Sequence, residues 1–316
     1  MITLKEAPAR WIRRLTPTVL KKRLRTYSLP SYNYLQNLMS NYQVKDLISV
    51  DSKSFKYKID EFLQLHDHAM EGFKDSGKQR DLSIKFHWGH DHDFGEFSLK
   101  GRMGDRHIML LATFIDKFKA IPTSLDGLRV LDIGCWTGGT SLLLSRMGAH
   151  VVAIEEVKKY IECLNYLKHA FNIDRLEPKN LSLYECTTAD FQDSFDIVLF
   201  AGVLYHVTDP ILALRITFDC LKDGGVCLLE TATINSNKLI LSYEGPTLFR
   251  SGSAKDLNRS GWNWFVPSPA VLSQMMSDVG FVEIQVKVIG KRAFAVGKRH
   301  THVDMMRGGL SDRNIR

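Results

Sequence analysis

The stretch VLDIGCWTGGTSLLLSRMGAHVVAIEE, residues 130–156, predicts the fold of this chain. Its first apolar run ends in a loop that contains Gly134 and Gly138, and a helix is expected from about Thr140. Glycines at such a turn let the backbone approach a ligand that a Cβ atom would block. Glu155 ends the next apolar run, where nucleotide-binding α/β units carry an acid that accepts hydrogen bonds from ribose hydroxyls. The pattern predicts two strands, a glycine loop and a helix that together hold a nucleoside.

Short apolar runs alternate with helical stretches through the middle of the chain. The runs are Arg129–Gly134, His150–Glu155, Phe195–Gly202 and Gly225–Ala232, and helices are expected over residues 140–147, 157–171 and 210–221. This alternation is typical of β-α-β units on a parallel sheet. Because the strands are uniformly apolar, we expect helices on both faces of that sheet.

The C-terminal part of the chain follows a different pattern. Val282–Ile289 and Arg292–Lys298 are strand-like and meet at Gly290, which predicts an antiparallel hairpin. We therefore expect an α/β fold with a Rossmann-like sheet that a C-terminal hairpin closes. Three regions are predicted: a helical, basic segment over residues 1–80, the α/β domain over 81–299 with an acceptor-binding insert at 232–267, and a flexible tail over 300–316.

Composition limits the class of protein. Hydrophobic residues make up 44% of the 316 residues and charged residues 24%, which is ordinary for a globular chain. No apolar run approaches the roughly 18 residues that a membrane span needs, so no span is expected. The five cysteines include no CxxC pair, which is typical of reduced thiols and predicts a cytoplasmic protein.

The net charge of +7 is concentrated at the N-terminus. Residues 1–26 contain eight lysines and arginines against the single acid Glu6. Such a segment can lie along a phosphate backbone or an anionic membrane surface. It can equally pack on the domain itself or on a second copy of the chain, so a homo-oligomer is one of the assemblies it allows.

The glycine loop distinguishes between two nucleotide cofactors. A dinucleotide site has the pattern G-x-G-x-x-G, in which the second glycine makes room for pyrophosphate. Here bulky Trp136 occupies the position where the pyrophosphate would lie, between Cys135 and Thr137. S-adenosylmethionine has no pyrophosphate and needs room for its amino-acid tail beside an acid such as Asp132. The loop therefore favours S-adenosylmethionine over NAD.

A second candidate site follows the strand at Phe195–Gly202. The segment continues to Tyr205 and His206, which are expected at the carboxyl edge of the sheet, where open α/β proteins bind ligands. A Tyr-His pair at a strand end is often purely structural. Because it is combined here with the glycine loop, we interpret the pair as candidate catalytic residues.

These motifs together resemble those of class I S-adenosylmethionine-dependent methyltransferases, and in particular the tRNA wobble-uridine carboxymethyltransferase group. The matching stretches are LDIGCWTGG (131–139), GVLYH (202–206), LKDGGVCLLET (221–231), WFVPSPAVLSQMMSDVGF (264–281) and KRAFAVGKR (291–299). The first is shared across class I methyltransferases, and the others are narrower. The resemblance spans about residues 86–298 and implies the Rossmann-like methyltransferase sheet with S-adenosylmethionine as cofactor.

The resemblance also implies roles for single residues. The cofactor-binding positions that it and the glycine loop indicate are Asp132, Gly134, Cys135, Gly138, Glu155, Glu185, Ala201 and Arg292. Among them, Glu185 would reach the adenine edge and Ala201 would line the methionine side. Arg292 corresponds to an arginine that helps to hold the carboxylated cofactor, and Tyr205 to a tyrosine that contacts the transferred group.

One position departs from the carboxymethyltransferase pattern. That group has a lysine before its F-S-L segment, which pairs with the extra carboxylate of the cofactor, and the aligned residue here is Phe94. A second family lysine falls near Arg106. Because a buried carboxylate without its cation costs several kcal/mol, the substitution favours plain methyl transfer.

The segment FHWGHDHDFGEF, residues 86–97, is rich in histidine. Clustered imidazoles and carboxylates can bind transition metals, but nearly consecutive residues lack the spacing of a formed site, so no metal is predicted. In relatives this segment covers the acceptor. His87 and His107 are therefore candidate acceptor contacts or bases, with a solvated loop as the alternative.

The favoured function is methyl transfer to a small or medium-sized metabolite. The alternative is a tRNA wobble-uridine methyl- or carboxymethyltransferase, because the basic N-terminal arm suits looped RNA. A third hypothesis is that the chain binds the cofactor without catalysing a reaction. A small-molecule acceptor is preferred to tRNA, since the basic surface is confined to one end of the chain.

Overall fold

The computed structural model describes residues 29–64, 86–244 and 263–300. The basic arm over residues 1–26, part of the predicted insert at 245–262 and the tail beyond residue 300 lie outside the described residues. The predictions made for those segments are therefore not tested by the fold.

A seven-stranded sheet forms the centre of the described structure. Its main strands are β3 (Arg129–Ile133), β4 (His150–Glu155), β5 (Leu176–Asn180), β6 (Phe195–Ala201), β7 (Leu221–Ala232), β10 (Val282–Ile289) and β11 (Arg292–Lys298). They lie in the order β10-β11-β7-β6-β3-β4-β5. The strands from β7 to β5 are parallel, and β11 lies antiparallel between β7 and β10. The predicted C-terminal hairpin is confirmed.

Two short antiparallel pairs lie outside this sheet, and helices cover its two faces. The pairs join β1 (His92–Asp93) to β2 (Ser98–Leu99) and β8 (Leu241–Tyr243) to β9 (Phe265–Pro267). The helices are α1 (Ser31–Met39), α2 (Ser52–Leu63), α3 (Arg106–Asp116), α4 (Gly139–Arg146), α5 (Lys158–Ala170), α6 (Pro210–Cys220) and α7 (Pro269–Val279). The three helices expected from sequence correspond to α4, α5 and α6, each within two residues of its expected ends.

Strands β3, β4, β6, β7 and β11 each contribute to two separate cores. Along β4, Val151 and Ala153 belong to the core beneath α4 and α5, whereas Val152 and Ile154 belong to the core beneath α6 and α7. This follows from the period of two along a strand, which sends successive side chains to opposite faces. It also explains why the strands are continuous apolar runs in the sequence.

The described N-terminal segment packs on this domain. The Ser31 backbone N–H and hydroxyl both donate to the Asp116 carboxylate, at 3.0 and 2.8 Å. The Tyr42 hydroxyl donates to the carbonyl oxygen of Leu142 in α4 at 3.0 Å. Phe55 of α2 is fully buried in the same core. Residues 29–64 therefore form one folded body with the α/β sheet.

Asp196 joins three strands at the amino edge of the sheet. Its Oδ2 accepts from the backbone N–H of Arg129 at 2.8 Å, and its Oδ1 accepts from Lys222 Nζ at the same distance. These contacts connect the beginnings of β3, β6 and β7.

None of the helices in residues 29–64, 86–244 and 263–300 has both the length and the apolar character needed to cross a membrane.

Candidate active site

A cleft of about 1050 Å³ lies at the carboxyl edge of the parallel strands. Its walls come from the ends of β3, β4, β6 and β7, from α3, and from the turn between β10 and β11. Nine of the residues singled out from sequence line it: His107, Asp132, Gly134, Cys135, Glu155, Ala201, Tyr205, His206 and Arg292. The topology therefore gathers at one edge residues that are far apart in the chain, as open α/β sheets do with ligand sites.

The glycine loop is fixed to the neighbouring strand. The backbone N–H groups of Gly134 and Cys135 donate to the carbonyl oxygen of Ile154, at 2.9 and 3.0 Å. Gly134 has φ +74°, and a Cβ atom there would lie 2.5 Å from a methyl carbon of Val203. Position 134 thus requires glycine both for its backbone conformation and for the approach of the chain that follows β6.

Gly138 has a different role from the one expected. It is the N-cap of α4 with φ +81°, and a Cβ atom there would lie 2.2 Å from Leu164 Cδ1 of α5. Gly138 is also outside the residues that line the cleft. Its small size is therefore explained by close packing of α5 on the loop, and the structure does not bring it to a ligand.

Glu155 connects the loop to the cleft. Its Oε2 accepts from the backbone N–H of Trp136 and its Oε1 from that of Val157, both at 3.1 Å. These two bonds orient the carboxylate, and carboxylate oxygens are acceptors suited to the hydroxyl groups of a ligand. Trp136 itself has φ +53°, which this hydrogen bond helps to hold.

Asp132 lies beneath the loop and is 4% exposed. Ser141 Oγ donates to its Oδ2 at 2.6 Å. Burial raises the pKa of Asp132 to about 6, although the hydrogen bond from Ser141 opposes this change. The carboxyl group therefore remains mainly ionised at neutral pH, close to the positive end of α4.

Tyr205 and His206 lie in a short 3₁₀ turn, Leu204–His206, immediately after β6. Their ring centroids are 4.0 Å apart. The Arg292 guanidinium carbon lies 4.8 Å from the centroid of the Tyr205 ring. Tyr205 is thus held between a neighbouring imidazole and a cation at the wall of the cleft.

Arg292 forms a two-point ion pair with Glu230. Its Nη2 donates to Glu230 Oε2 at 2.8 Å, and its Nε donates to Oε1. Burial alone would lower the pKa of Arg292, but the Glu230 carboxylate outweighs burial and the pKa is raised. The pair therefore carries no net charge into the cleft.

His107 lies in the first turn of α3, and His90 lies beside it. Their ring centroids are 4.7 Å apart, and both residues line the cleft. The sequence pattern indicates His107 as a candidate site residue, whereas His90 is only one of several histidines in residues 86–97. Only the tertiary structure indicates His90 as a site residue, because His90 and His107 meet when the histidine-rich segment folds over the glycine loop. In that arrangement the Gly89 N–H donates to Thr137 Oγ1 at 3.0 Å.

Residues 105–286 match a family model described as a methyltransferase domain. This match covers more than half of the chain. The chain belongs to the methyltransferase-domain family.

The methyltransferase domain is similar to curated proteins of two kinds. It is 28% identical over 163 residues to a tRNA U34 carboxymethyltransferase of Desulfotalea psychrophila, covering 51% of this chain and 48% of that protein. It is also 28% identical over 186 residues to a ubiquinone biosynthesis O-methyltransferase of Psychrobacter arcticus, covering 58% of this chain and 70% of that protein. The chain spans about half the length of the first of these relatives.

The fold of the methyltransferase domain is also found in solved structures. The N-terminal domain of EvdMO1, crystallised with SAH bound, superposes with a TM-score of 0.55 at 16% identity. The match covers 79% of this chain and 98% of that one. This likeness confirms the expected class I methyltransferase fold.

Besides Gly138, two predicted site residues of the methyltransferase domain, Glu185 and His87, lie outside the cleft. Glu185 is exposed, and its Oε2 accepts from the Ser182 backbone N–H at 2.7 Å, which caps a 3₁₀ turn. His87 lines a separate surface pocket together with Lys100 and Arg102. The structure therefore does not bring either residue to the other site residues.

The interpretation of Phe94 needs correction. Phe94 is fully buried and stacks on His92, with ring centroids 3.9 Å apart, and it packs against Phe55 at 5.2 Å. This position lies in the aromatic core rather than on the cleft, so Phe94 does not stand where a ligand carboxylate would bind. Arg106, the second aligned position, does line the cleft.

The residues that the structure describes contain no group of three or more histidine, cysteine, aspartate or glutamate side chains with the geometry of a metal site. The histidine-rich segment instead divides between two environments. His90 faces the cleft, whereas His92 is buried and its Nε2 lies 3.1 Å from the carbonyl oxygen of Tyr42.

Proposed function

We propose that this chain is an S-adenosylmethionine-dependent methyltransferase that acts on a small or medium-sized metabolite. The observation that carries the proposal is the arrangement of Glu155, which the glycine loop orients at the wall of the cleft, at the end of the strand that follows that loop. The described residues fit the cofactor. Gly134 lets the backbone approach, Glu155 suits the ribose hydroxyls, and Ala201 leaves room at the end of β6.

Each part of the cleft has a distinct task in this proposal. The cofactor supplies a methyl group already activated by its sulfonium. Glu155 binds the nucleoside, and the negative charge of Asp132 suits the ammonium group of the amino-acid tail. Tyr205, positioned by Arg292 and His206, orients the reacting groups. Alignment of the nucleophile, the methyl carbon and sulfur is the main contribution that the protein makes to such a reaction.

The size and lining of the cleft favour a metabolite acceptor. Ligand pockets commonly measure roughly 300–1,000 Å³, so about 1050 Å³ suits the cofactor together with an acceptor of modest size. The lining of the cleft includes Met103, Met109, Leu110 and Ile289, which suit an apolar body. Because Arg292 is paired with Glu230, Arg292 offers little net attraction for a carboxylated cofactor, which supports methyl rather than carboxymethyl transfer.

Transfer to tRNA remains the second candidate, supported by the tRNA U34 carboxymethyltransferase relative and by the basic residues 1–26. A truncation of residues 1–26 separates the two candidates. A metabolite enzyme keeps most of its turnover, whereas a tRNA enzyme loses RNA binding in a strongly salt-dependent way. Loss of all activity at low salt in a truncated protein that stays folded would exclude the metabolite proposal.

The cofactor itself is tested directly. S-adenosylmethionine and S-adenosylhomocysteine are expected to raise the melting temperature of the purified full chain, and NAD is not. Mass spectrometry of the small molecules released on denaturation is an independent measurement. Stabilisation by NAD alone would contradict the proposal.

A further inference from the structure

Two histidines lie beside each other in the wall of the cleft. His107 is 1% exposed and His90 is half-buried, with their ring centroids 4.7 Å apart. Gly139 lies directly against His90, since a Cβ atom at position 139 would be 2.7 Å from His90 Nδ1. The pair is therefore fixed between the beginning of α3 and the beginning of α4.

The polar atoms of this pair are not satisfied by the surrounding protein. Both ring nitrogens of His107 and Nδ1 of His90 are buried and have no hydrogen-bond partner among the described residues. A buried polar atom left without a partner destabilises the folded protein. Buried polar groups without partners are unusual, and a ligand that supplies the missing bonds is a common explanation. His92, by contrast, is buried but bonded to the Tyr42 carbonyl oxygen.

Both imidazoles are neutral at physiological pH. Burial lowers the pKa of His90 to about 4, with a further decrease from Arg106 and an opposing increase from Asp91. Burial also lowers the pKa of His107 well below its usual range, and the neighbouring His90 and His92 act in the same direction. A neutral imidazole has one N–H donor and one nitrogen that accepts a hydrogen bond. The pair therefore presents both kinds of group to a ligand.

We propose that His107, with His90 beside it, binds the hydroxyl group of a phenolic or enolic acceptor and takes its proton during methyl transfer. This inference rests on the proposed function and adds the class of acceptor and the identity of the base.

The group transfer balances with these residues. A lone pair of the acceptor oxygen forms the new bond to the methyl carbon while the carbon–sulfur bond breaks. The electron pair of that bond stays on sulfur, which leaves as a neutral thioether. The hydroxyl proton passes to the accepting nitrogen of His107, and the resulting imidazolium releases it to water on the side of half-buried His90.

The acceptor class follows from the weakness of the base and the lining of the cleft. A neutral imidazole held in this environment is a poor base toward an alkyl alcohol, but a phenol or enol is more acidic, and its oxygen becomes still more so as the new bond forms. Met103, Met109 and Phe294 line the cleft and suit a planar apolar ring. Two imidazoles and an apolar lining in the same cleft match a ring that carries a hydroxyl group.

A pair of matched probes tests the acceptor class. Calorimetry measures binding of 4-methylcatechol, and of its diamine counterpart 4-methyl-1,2-phenylenediamine, to the full chain saturated with S-adenosylhomocysteine. The diphenol is expected to bind at least tenfold more tightly. His107→Leu is expected to weaken diphenol binding about tenfold and to leave the affinity for S-adenosylhomocysteine within about threefold. Equal binding of both probes, or unchanged diphenol binding in His107→Leu, overturns the inference.

His107→Gln tests the role of base separately from binding. Glutamine can still hydrogen-bond the hydroxyl but does not accept its proton, so diphenol affinity is expected to stay within about threefold while the rate of its methylation falls at least a hundredfold. A rate within threefold of the natural chain overturns the assignment of His107 as base. His90→Gln serves as a second cleft variant if His107 variants fail to fold.

His92→Asn is the matched control. It changes a buried histidine on the same segment that lies outside the cleft lining, so both probe affinities and S-adenosylhomocysteine affinity are expected to stay unchanged. A tenfold loss of diphenol affinity in this control would mean that disturbed packing of the segment, rather than loss of a contact from His107, explains the results for the His107 variants. The inference would then fail. Absence of S-adenosylhomocysteine binding to the natural chain would instead refute the proposed function.

Discussion

Arg292 on β11 and Glu230 on β7 form a two-point ion pair that supports the ring of Tyr205. The two residues lie on neighbouring antiparallel strands, where Arg292 pairs with Ala232 and Glu230 pairs with Phe294, so the side chains meet diagonally. Both charges are largely buried, and each satisfies the other. A buried charge that loses its partner is strongly destabilising, so the pair acts as a unit.

Neutralisation of Arg292 predicts how the site treats a carboxylated cofactor. Carboxy-S-adenosylmethionine is expected to bind no more tightly than S-adenosylmethionine, because Glu230 already balances the guanidinium. Glu230→Gln removes that balance and is expected to shift the preference toward the carboxylated cofactor by about tenfold, as a charge-assisted hydrogen bond contributes about 1.5–3 kcal/mol. Isothermal titration calorimetry measures both affinities. Tenfold tighter binding of the carboxylated form to the natural chain would contradict the prediction.

Replacement of Glu155 is expected to weaken cofactor binding. Glu155→Ala removes both the ligand contact and the bond that orients Trp136, so affinity for S-adenosylhomocysteine should fall about tenfold to a hundredfold. Glu177→Ala is the control, because Glu177 is exposed on β5 and pairs only with Lys179 among the ion pairs of the described residues. Affinity that is equal in both variants would show that Glu155 does not bind the ligand.

Tyr205→Phe separates binding from chemistry. Loss of one neutral hydrogen bond is worth about 1 kcal/mol, so cofactor affinity should stay within about tenfold. Turnover should fall more, because errors of orientation act on the transition state. Steady-state kinetics provide the measurement, and Tyr166→Phe, in the aromatic cluster between α2 and α5, provides the control. A larger effect on affinity than on turnover would assign Tyr205 to ground-state binding.

Gly138→Ala is expected to destabilise the fold with little effect on the ligand. Strain at φ +81° and contact with Leu164 both act on the folded state, and the free energy of unfolding should fall by about 1–3 kcal/mol. Gly127→Ala isolates the strain, since Gly127 has φ +77° and open space around it, so its loss should be smaller. Urea denaturation gives both values. Equal losses would rule out packing against Leu164 as the reason for glycine.

The buried histidines predict a loss of stability in mild acid. Burial lowers the pKa values of His90 and His92 to about 4, whereas an unfolded histidine titrates near about 6.5. The unfolded state therefore binds more protons between about pH 6.5 and 4, and stability falls across that range as the pH is lowered. Asp132 opposes this, because its raised pKa lets the folded state bind a proton first. The lowered pKa of His107 adds to the loss of stability, so the free energy of unfolding is expected to decrease as the pH is lowered.

The pH dependence is checked by urea denaturation at several pH values. The free energy of unfolding is expected to decrease from pH 7 to pH 4.5, and His92→Asn should make that slope shallower. A slope unchanged by His92→Asn would show that this histidine does not contribute.

The parallel strands could be predicted from sequence because both of their faces are buried. Continuous apolar runs are the consequence, and β3, β4, β6 and β7 all have them. The edge strand β5, Leu176–Asn180, was not predicted, because it contains Pro178 and several partly exposed residues. Proline is compatible with an edge strand, which needs no second hydrogen-bonded neighbour, but its presence removes the usual sequence signal.

The proposed cofactor-binding residues were easier to predict from sequence than the proposed acceptor-binding residues. Gly134 and Glu155 belong to one continuous stretch whose local geometry dictates their positions. His90 and His107 are brought together only by tertiary packing, and no spacing in the chain indicates it. At Phe94 the expectation from sequence was wrong. The resemblance placed this residue at a ligand position, whereas its aromatic packing lies in the core.

The carboxylate of Asp196, which ties β3, β6 and β7 together at the amino edge, lies at the opposite end of the strands from the cleft. The contacts that stabilise the sheet and the residues that line the cleft therefore lie at opposite ends of the same strands. An engineer who seeks a heat-resistant variant can strengthen contacts around Asp196 and Lys222 without disturbing the cleft. Residues at the carboxyl edge can in turn be substituted to change the acceptor preference. The contacts at the amino edge remain unchanged and continue to stabilise the sheet.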